Sequence, residues 1–252
     1  MPLHIANHTP HVVLVTIDNE AKRNAMSRQM LADLAGLWDR LDTDTACRCV
    51  VVTGAGSKAF CAGADISGDL SASPEMARVI NRGLLKTSTF SRPVIAAVNG
   101  VCAGGGVELL LSTDIRACVP DARFGLPEVR WAIYPFGGAT VKLTQQIGYV
   151  HAMDLLLTGR MIEATDAARL GLVNEIVPAD RLMAWALAKA EAIAANSPFA
   201  VQAVKQQISA TTADFTQSRE ALEQQLGDRV RASADFAEGI AAFRAKRPAK
   251  YE

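Results

Sequence analysis

Short apolar runs, separated by segments with helical spacing, constrain the fold of this 252-residue chain most strongly. Runs rich in β-branched residues predict strands, whereas apolar side chains three and four positions apart predict helices. One such helix begins at about Ser27, a residue type that caps helix N-termini, and continues through Leu34 and Trp38. This alternation predicts an α/β fold with mostly parallel strands. The predicted strands are residues 12–17, 50–53, 94–98, 115–118 and 173–177.

The pattern becomes purely helical from about Asp180. We therefore predict a boundary near Ser197, with an α/β core at residues 1–196 and a helical region at residues 197–252. A helical appendage of this kind covers the core or docks on a neighbouring subunit. The predicted helices are residues 180–196, about 199–210, 214–226 and 228–245.

Charge and composition exclude several classes of protein. Half of the residues are apolar, and the 26 Lys and Arg equal the 26 Asp and Glu. Because the one short basic run is residues 244–247, binding to nucleic acid or to an anionic membrane is disfavoured. No apolar stretch is long enough to span a membrane and no leader opens the chain, so we expect a soluble cytoplasmic protein. The five cysteines form no C-x-x-C pair and are expected to be reduced thiols.

Two patterns resemble ligand sites but are disfavoured. His4, His8 and His11 crowd the N-terminus without a nearby cysteine, which favours a frayed segment or an edge strand over a metal site. We expect no metal. A G-x-G pattern follows the strand at residues 50–53, but the glycine-broken residues 60–64 do not form the helix that a dinucleotide-binding turn requires.

The most informative motif is Gly104-Gly105-Gly106-Val107-Glu108, which follows the predicted strand at residues 94–98. It has the pattern of a helix N-terminus, where unpaired N–H groups favour negative charge. Residues 105 and 108 lie one turn apart, so a backbone donor and a carboxylate can face one pocket. The motif therefore predicts an oxyanion hole beside an acid or base. By itself it also fits a helix that packs tightly on a sheet, with a Glu that complements the helix dipole.

Two further motifs favour the catalytic interpretation. Phe60-Cys61-Ala62-Gly63-Ala64-Asp65-Ile66 is a second loop of small residues, in which the backbone can approach a ligand closely. Phe124-Gly125-Leu126-Pro127-Glu128 places another carboxylate rigidly behind a proline. Glu128 could instead be a solvated residue or the ion-pair partner of Arg123 or Arg130, and Asp65 could be an Asx-type anchor of its loop.

Together the motifs resemble the enoyl-CoA hydratase/isomerase (crotonase) family, in the right order over nearly the whole chain. The resemblance implies a crotonase-like spiral of repeated β-β-α units and a C-terminal helical region used in assembly. It also implies homotrimers that often pair into hexamers, and an acyl-CoA substrate whose CoA makes a separate cofactor unnecessary. The matching segments are Asn24-Ala25-Met26-Ser27, residues 62–66, 93–100, 104–108, 124–128, 157–160, 171–173 and 238–243.

The same resemblance implies roles for individual residues. The backbone N–H groups of Ala64 and Gly105 would form the oxyanion hole, and Glu108 and Glu128 would be the two catalytic acids. In a hydratase Glu108 activates water and Glu128 donates a proton. Residues implied to bind CoA are Lys22, Arg23, Ala25, Ala62, Ala64, Asp65 and Ile66, together with Phe243 and Lys246 from a neighbouring subunit's tail.

One segment departs from the family pattern. Hydratases of this family commonly carry Pro-Gly-Ala-Gly-Gly after the second Glu, whereas this chain has Pro135-Phe136-Gly137-Gly138-Ala139. Phe136, with Trp131 and Tyr134, is predicted to shape the acyl pocket. Enoyl-CoA hydration is the leading hypothesis. The alternatives are an isomerase or racemase that acts on a specialised acyl-CoA, and a catalytically silent CoA-binding scaffold.

Overall fold

The computed structural model describes residues 3–65, 73–87 and 89–251. Ten strands lie in these ranges and form two sheets. The strands are β1 (Leu3–Thr9), β2 (Val12–Ile17), β3 (Cys49–Gly54), β4 (Ala59–Cys61), β5 (Val94–Val98), β6 (Val101–Ala103), β7 (Ile115–Cys118), β8 (Arg123–Gly125), β9 (Ile162–Glu163) and β10 (Glu175–Ile176).

The larger sheet has the strand order β1-β2-β3-β5-β7-β10, and the smaller sheet has the order β4-β6-β8-β9. Pairing is parallel except between β1 and β2 and between β8 and β9, which confirms the predicted α/β class and its mostly parallel strands. Strands β3 and β5 lie inside the larger sheet and are buried along their whole length. Parallel strands covered on both faces are expected to be continuous apolar runs of this kind.

Pairs of consecutive strands are divided between the two sheets. Strand β3 is followed by β4, β5 by β6, and β7 by β8, and each second strand lies in the smaller sheet. The connections are tight: a Cβ on Gly54 would lie 2.4 Å from the carbonyl oxygen of Ala59, and one on Gly100 would lie 2.5 Å from that of Lys58. Because β4, β6 and β8 are neighbouring parallel strands, the segments that follow them meet at one sheet edge.

Nine α-helices lie in the described ranges, and the last two depart from prediction. In place of separate helices at residues 199–210 and 214–226, one helix of 34 residues, α8, runs without interruption. Gly227 lies within α8 against the ring of Phe136, so its missing side chain permits close packing and does not end the helix. The helices are α1 (Arg28–Thr43), α2 (Pro74–Gly83), α3 (Gly105–Leu110), α4 (Ala139–Ile147), α5 (Tyr149–Thr158), α6 (Ala164–Arg169), α7 (Leu182–Ala194), α8 (Pro198–Arg231) and α9 (Ala234–Arg244).

The secondary-structure predictions were least complete for the shortest strands. The strand predicted at residues 173–177 has only two paired residues, Glu175 and Ile176. Strands β4, β6, β8 and β9 have two or three residues each, too few for an alternating pattern. The N-terminal histidines lie on or next to β1, an edge strand, where His4 contacts Asp18 and His8 contacts Glu191. The boundary proposed near Ser197 stays a prediction, and Ser197 caps α8.

No helix among the described residues is long and apolar enough to cross a membrane. Within the same residues, no group of three His, Cys, Asp or Glu side chains is arranged to hold a metal ion.

Replacing Gly106 by alanine is expected to destabilise the fold by about 1–3 kcal/mol, because α3 packs directly on β4. A Cβ at Gly106 would lie 2.2 Å from the carbonyl oxygen of Cys61 and 2.9 Å from its Cβ. Gly36 is the matched control, since it lies inside α1 and a Cβ there would meet only Arg40 at 3.6 Å. Gly36→Ala is expected to stabilise by about 0.5–1 kcal/mol. Urea unfolding measures both, and equal effects would contradict the packing argument.

Candidate active site

The glycine turn presents one free backbone donor. Gly104 precedes α3 with φ 52° and ψ −125°, a conformation open to glycine, and its N–H donates to the carbonyl of Gly125 at 3.0 Å. Its own carbonyl accepts from Val107 and Glu108, which closes the first turn of α3. Gly105 is the first helical residue, so its N–H has no partner inside the helix. Nor does any other group in the described part of the chain accept from it.

The second donor is the N–H of Ala64, and a parallel bridge determines its direction. Met26 donates to the carbonyl of Gly63 at 2.8 Å and accepts from the N–H of Asp65 at 2.9 Å. In extended backbone successive N–H groups point to opposite sides, so the N–H of Ala64 points away from Met26. A Cβ on Gly105 would lie 3.5 Å from the Ala64 nitrogen, which places the two amides side by side. Ala64 N–H, too, has no acceptor within residues 3–65, 73–87 and 89–251.

Glu108 lies one turn into α3 and is buried. Its carboxyl group packs on Gly137, where a Cβ would lie 2.6 Å from Oε2, and Gly137 has φ 74°. Burial, followed by the charge of Glu128, raises the pKa of Glu108 well above its usual range, while Lys86 and Lys142 oppose the shift. A carboxyl group whose pKa is raised in this way is a candidate general acid or base.

Glu128 approaches the same turn from the 3-10 helix Pro127–Trp131, which follows β8. Its Oε1 would lie 3.0 Å from a Cβ on Gly104, so only a glycine fits beneath it. Its Oε2 is buried and has no hydrogen-bond partner among the described residues. Within those residues Glu128 forms no ion pair with Arg123 or Arg130. Burial raises the pKa of Glu128 to about 7.

The segment around residues 19–26 holds the loop that carries Ala64. Ala62 donates to the carbonyl of Arg23 at 3.0 Å, and Lys22 Nζ pairs with Asp65 Oδ2 at 2.7 Å. The side chain of Asn24 is fully buried, and its amide nitrogen donates to the carbonyls of Ala55 and Ala59. The structure therefore brings the predicted CoA-binding residues Lys22, Arg23, Ala25, Ala62 and Asp65 next to the Ala64 amide. Asp65 forms an ion pair with Lys22, and its role as an Asx-type anchor of the loop stays a prediction. The role of the set in CoA binding stays a prediction.

The aromatic residues predicted for the acyl pocket separate into two contacts. The ring of Trp131 meets Phe243 of α9 edge-on, with centroids 5.2 Å apart. Tyr134 meets Phe136 at the same centroid distance. The Phe136 ring extends towards α8, where a Cβ on Gly227 would lie 2.0 Å from Cζ and the Arg231 guanidinium stacks at 4.9 Å. Phe136 thus packs on α8, while Gly137, the next residue, lies against Glu108.

Three residues predicted to bind CoA do not belong to the group of contacts around the Ala64 loop. Ile66 lies outside the described residues. Phe243 packs on Trp131 of its own chain, and Lys246 follows α9 with φ 51°. Their proposed contact with the ligand of a neighbouring subunit stays a prediction.

Sequence reasoning missed a group of buried charges near Glu108. Lys86, Lys142 and Glu223 each expose about 4% of their surface. Lys142 Nζ donates to Leu85 O and to Ser112 Oγ, both at 2.8 Å, and burial lowers its pKa to about 7. The sequence did carry a signal for the burial of Lys142, because this residue lies between the apolar Val141 and Leu143 in a largely buried helix. No local signal marks Glu223, since α8 is polar along most of its length.

Sequence comparison matches residues 7–252 to the family model described as "Enoyl-CoA hydratase/isomerase". The enoyl-CoA hydratase EchA19 of Mycobacterium tuberculosis is 39% identical over 249 residues, covering 96% of this chain and 93% of that protein. The 2,3-dehydroadipyl-CoA hydratase of Escherichia coli is 36% identical over 247 residues, covering 96% of each.

Solved structures agree with this match. The carnitinyl-CoA hydratase from Mycobacterium avium superposes with a TM-score of 0.92 at 32% identity, covering 100% of this chain and 98% of that one. An enoyl-CoA hydratase/isomerase from Pseudoalteromonas atlantica superposes with a TM-score of 0.91 at 30% identity, and each chain is covered fully.

Proposed function

The chain belongs to the enoyl-CoA hydratase/isomerase family, and from this premise we propose that it adds water across the double bond of a 2-enoyl-CoA thioester. The family and the crotonase-like fold predicted from the ordered motifs are confirmed. The proposal needs no cofactor beyond the CoA carried by the substrate. We propose that Lys22, Arg23, Ala25, Ala62 and Asp65 line the CoA path.

One observation carries the proposal: two unpaired amides, the buried side chain of Glu108 and the half-buried side chain of Glu128, whose Oε2 is buried, surround a single glycine turn. Attack of water on C3 of an enoyl thioester moves an electron pair through C2 onto the thioester oxygen, forming an enolate. Ala64 and Gly105 lie next to each other and neither N–H has an acceptor among the described residues, so we assign both as donors to that oxygen. Each fixed donor of this kind is worth about 3 kcal/mol in other oxyanion holes.

The two acids then account for the protons. Glu108, ionised, takes a proton from water as its oxygen bonds to C3, and Glu128 gives its proton to C2 as the enolate collapses. Water thus contributes OH to C3, the acid contributes H to C2, and one proton returns from Glu108 to Glu128 before the next turnover. Burial raises the pKa of Glu128 to about 7 and that of Glu108 well above its usual range, so each group can take up and release a proton during the cycle.

Mass spectrometry with a panel of 2-enoyl-CoAs in heavy-oxygen water tests the reaction. Incorporation of labelled oxygen at C3 is the expected result. In deuterated water, exchange at carbon without oxygen uptake would instead identify an isomerase or racemase. Absence of both, with CoA binding retained, would identify a scaffold.

Assembly into a homotrimer or a hexamer is a separate proposal. It is supported by the apolar side chains that α8 exposes, because a helix face of this kind gains stability when a neighbouring subunit covers it. These side chains are Phe199, Val204, Ile208, Phe215 and Leu222.

Hydration and its reverse are both expected to become faster as pH rises through about 7. Burial raises the pKa of Glu128 to about 7 and that of Glu108 well above its usual range, so at acid pH both groups are protonated and no base is present. The working form holds one proton, and activity falls again when the second leaves. Because hydration takes up no net proton, kcat/KM should have the same bell-shaped dependence on pH for hydration and for the reverse reaction. A profile already flat on the acid side of 7 would contradict this assignment.

A further inference from the structure

A buried ion pair connects the C-terminal helix α8 to the turn that supports Glu108. Glu223 of α8 lies 3.2 Å from Lys86 Nζ, and both side chains are 4% exposed. A carboxylate this deeply buried needs a specific partner, and its Oε1 has two: Lys86 and the N–H of Gly138, at 3.5 Å. Lys86 also lies 3.6 Å from Glu220, one helical turn earlier and 41% exposed.

The turn at Gly137 and Gly138 lies between this ion pair and Glu108. Both glycines have positive φ, 74° and 70°, so the turn has a shape that other residues adopt with strain. A Cβ on Gly137 would lie 2.6 Å from Glu108 Oε2, whereas one on Gly138 would lie 2.6 Å from Thr216 of α8. It would also lie 3.5 Å from the stem of Lys86 and 3.7 Å from that of Lys142. One face of the turn therefore supports Glu108, and the other is held by α8 and the two lysines.

We propose that Glu223 and Lys86 are positioning residues: their ion pair holds the Gly137–Gly138 turn against the Glu108 carboxyl group and makes α8 part of the working site. The catalytic consequence rests on the role proposed for Glu108. The structural and electrostatic consequences of the ion pair do not depend on that role, so they can be measured separately from turnover.

The pair also acts on Glu108 through its charges. Charged or titratable groups face Glu108 from every element around it: Glu128 from the 3-10 helix, Glu223 from α8, Lys142 from α4, Lys86 from the segment after α2, and Cys61 from β4. The negative charge of Glu223 raises the pKa of Glu108 and the positive charge of Lys86 lowers it. Removing either member should therefore shift the titration of Glu108, in opposite directions.

Carbon-13 NMR of protein labelled at the glutamate carboxyl carbons tests this directly, with the Glu108 signal assigned by its loss in Glu108→Gln. In Glu223→Gln the Glu108 titration should move to lower pH, and in Lys86→Met it should move to higher pH. If the Glu108 titration shifts in the same direction in both variants, or shifts in neither, the proposal is wrong. A purely structural role for the ion pair does not predict shifts in opposite directions.

Two further variants keep the test decisive if a single replacement unfolds the protein. Glu223→Gln/Lys86→Met removes both charges, should fold, and should return the Glu108 titration close to its wild-type position. Glu220→Gln is the matched control, because Glu220 shares Lys86 but is partly exposed and does not contact the turn. With an active substrate, Glu223→Gln should lower kcat by about tenfold to a hundredfold with little change in KM, whereas Glu220→Gln should leave both unchanged. An equal loss of kcat in Glu223→Gln and Glu220→Gln would show that Glu223 has no specific role at the site.

Discussion

Glu108→Gln is expected to lower kcat for hydration by about 10³-fold. Glutamine has nearly the same shape, so it can pack on Gly137 as the carboxyl group does, but it cannot accept a proton from water. Binding of the CoA portion should be unchanged, because the residues proposed to hold it lie on the loops around Lys22 and Ala62. Steady-state kinetics with an enoyl-CoA, together with calorimetry of CoA binding, separates the two effects.

The stability of this variant provides the folding control. Burial raises the pKa of Glu108, so ionisation of the wild-type carboxyl group destabilises the fold as pH rises through that pKa. Glutamine does not ionise, and the midpoint of thermal unfolding at alkaline pH should be unchanged or higher. Glu128→Gln should lower kcat by a similar factor, and the double variant should lower kcat by far less than the product of the two single effects. Full activity in folded Glu108→Gln would exclude it as the base.

Gly105→Pro is expected to lower kcat by about 10²–10³-fold, because it deletes one backbone donor of the oxyanion hole. Gly105 is the first residue of α3, where proline is tolerated and where the N–H has no helical partner. Gly104, the preceding residue, has ψ −125°, outside the region that a following proline disfavours. The helix should therefore form normally, which circular dichroism and the unfolding midpoint would verify.

Gly105→Ala separates loss of the donor from added bulk. A Cβ at this position would lie 3.5 Å from the Ala64 nitrogen, an ordinary contact, and the N–H remains. The alanine variant should keep most of the activity that the proline variant loses. If both variants lose the same factor, steric exclusion explains the effect, and the Gly105 amide is not a donor in the transition state.

Much of the site could be predicted because its signals are local. A glycine triplet before Val107 and Glu108 predicts a helix start with a free N–H, and Pro127 predicts a rigid position for Glu128. Helical spacing identified α1, and apolar runs identified β2, β3, β5 and β7. The shortest strands were missed, since two or three residues carry too little pattern to distinguish them from a turn.

The direction of the Phe136 side chain could not be predicted in this way. Its place at a position usually held by glycine suggested a ring that reshapes the acyl pocket, which stays a prediction, and the structure shows that this ring packs on Gly227, 91 positions away in sequence. A second example is Glu223, which belongs to a polar helix and becomes a buried residue only where α8 meets Lys86 and the Gly137–Gly138 turn.

The amino-acid sequence by itself therefore determined most of the element types, the free N–H at the start of α3 and a rigid position for Glu128, because glycine conformation, helix starts and proline rigidity act within a few residues. The catalytic roles predicted for Ala64, Gly105, Glu108 and Glu128 came from the resemblance to the family. Only the tertiary structure decided which of these groups meet. The adjacency of β4, β6 and β8 brings Ala64, Gly105 and Glu128 to one edge, and packing of α8 buries Glu223 beside Lys86. Such contacts depend on strand order and on the exclusion of water between distant segments, and neither leaves a mark in the local sequence pattern.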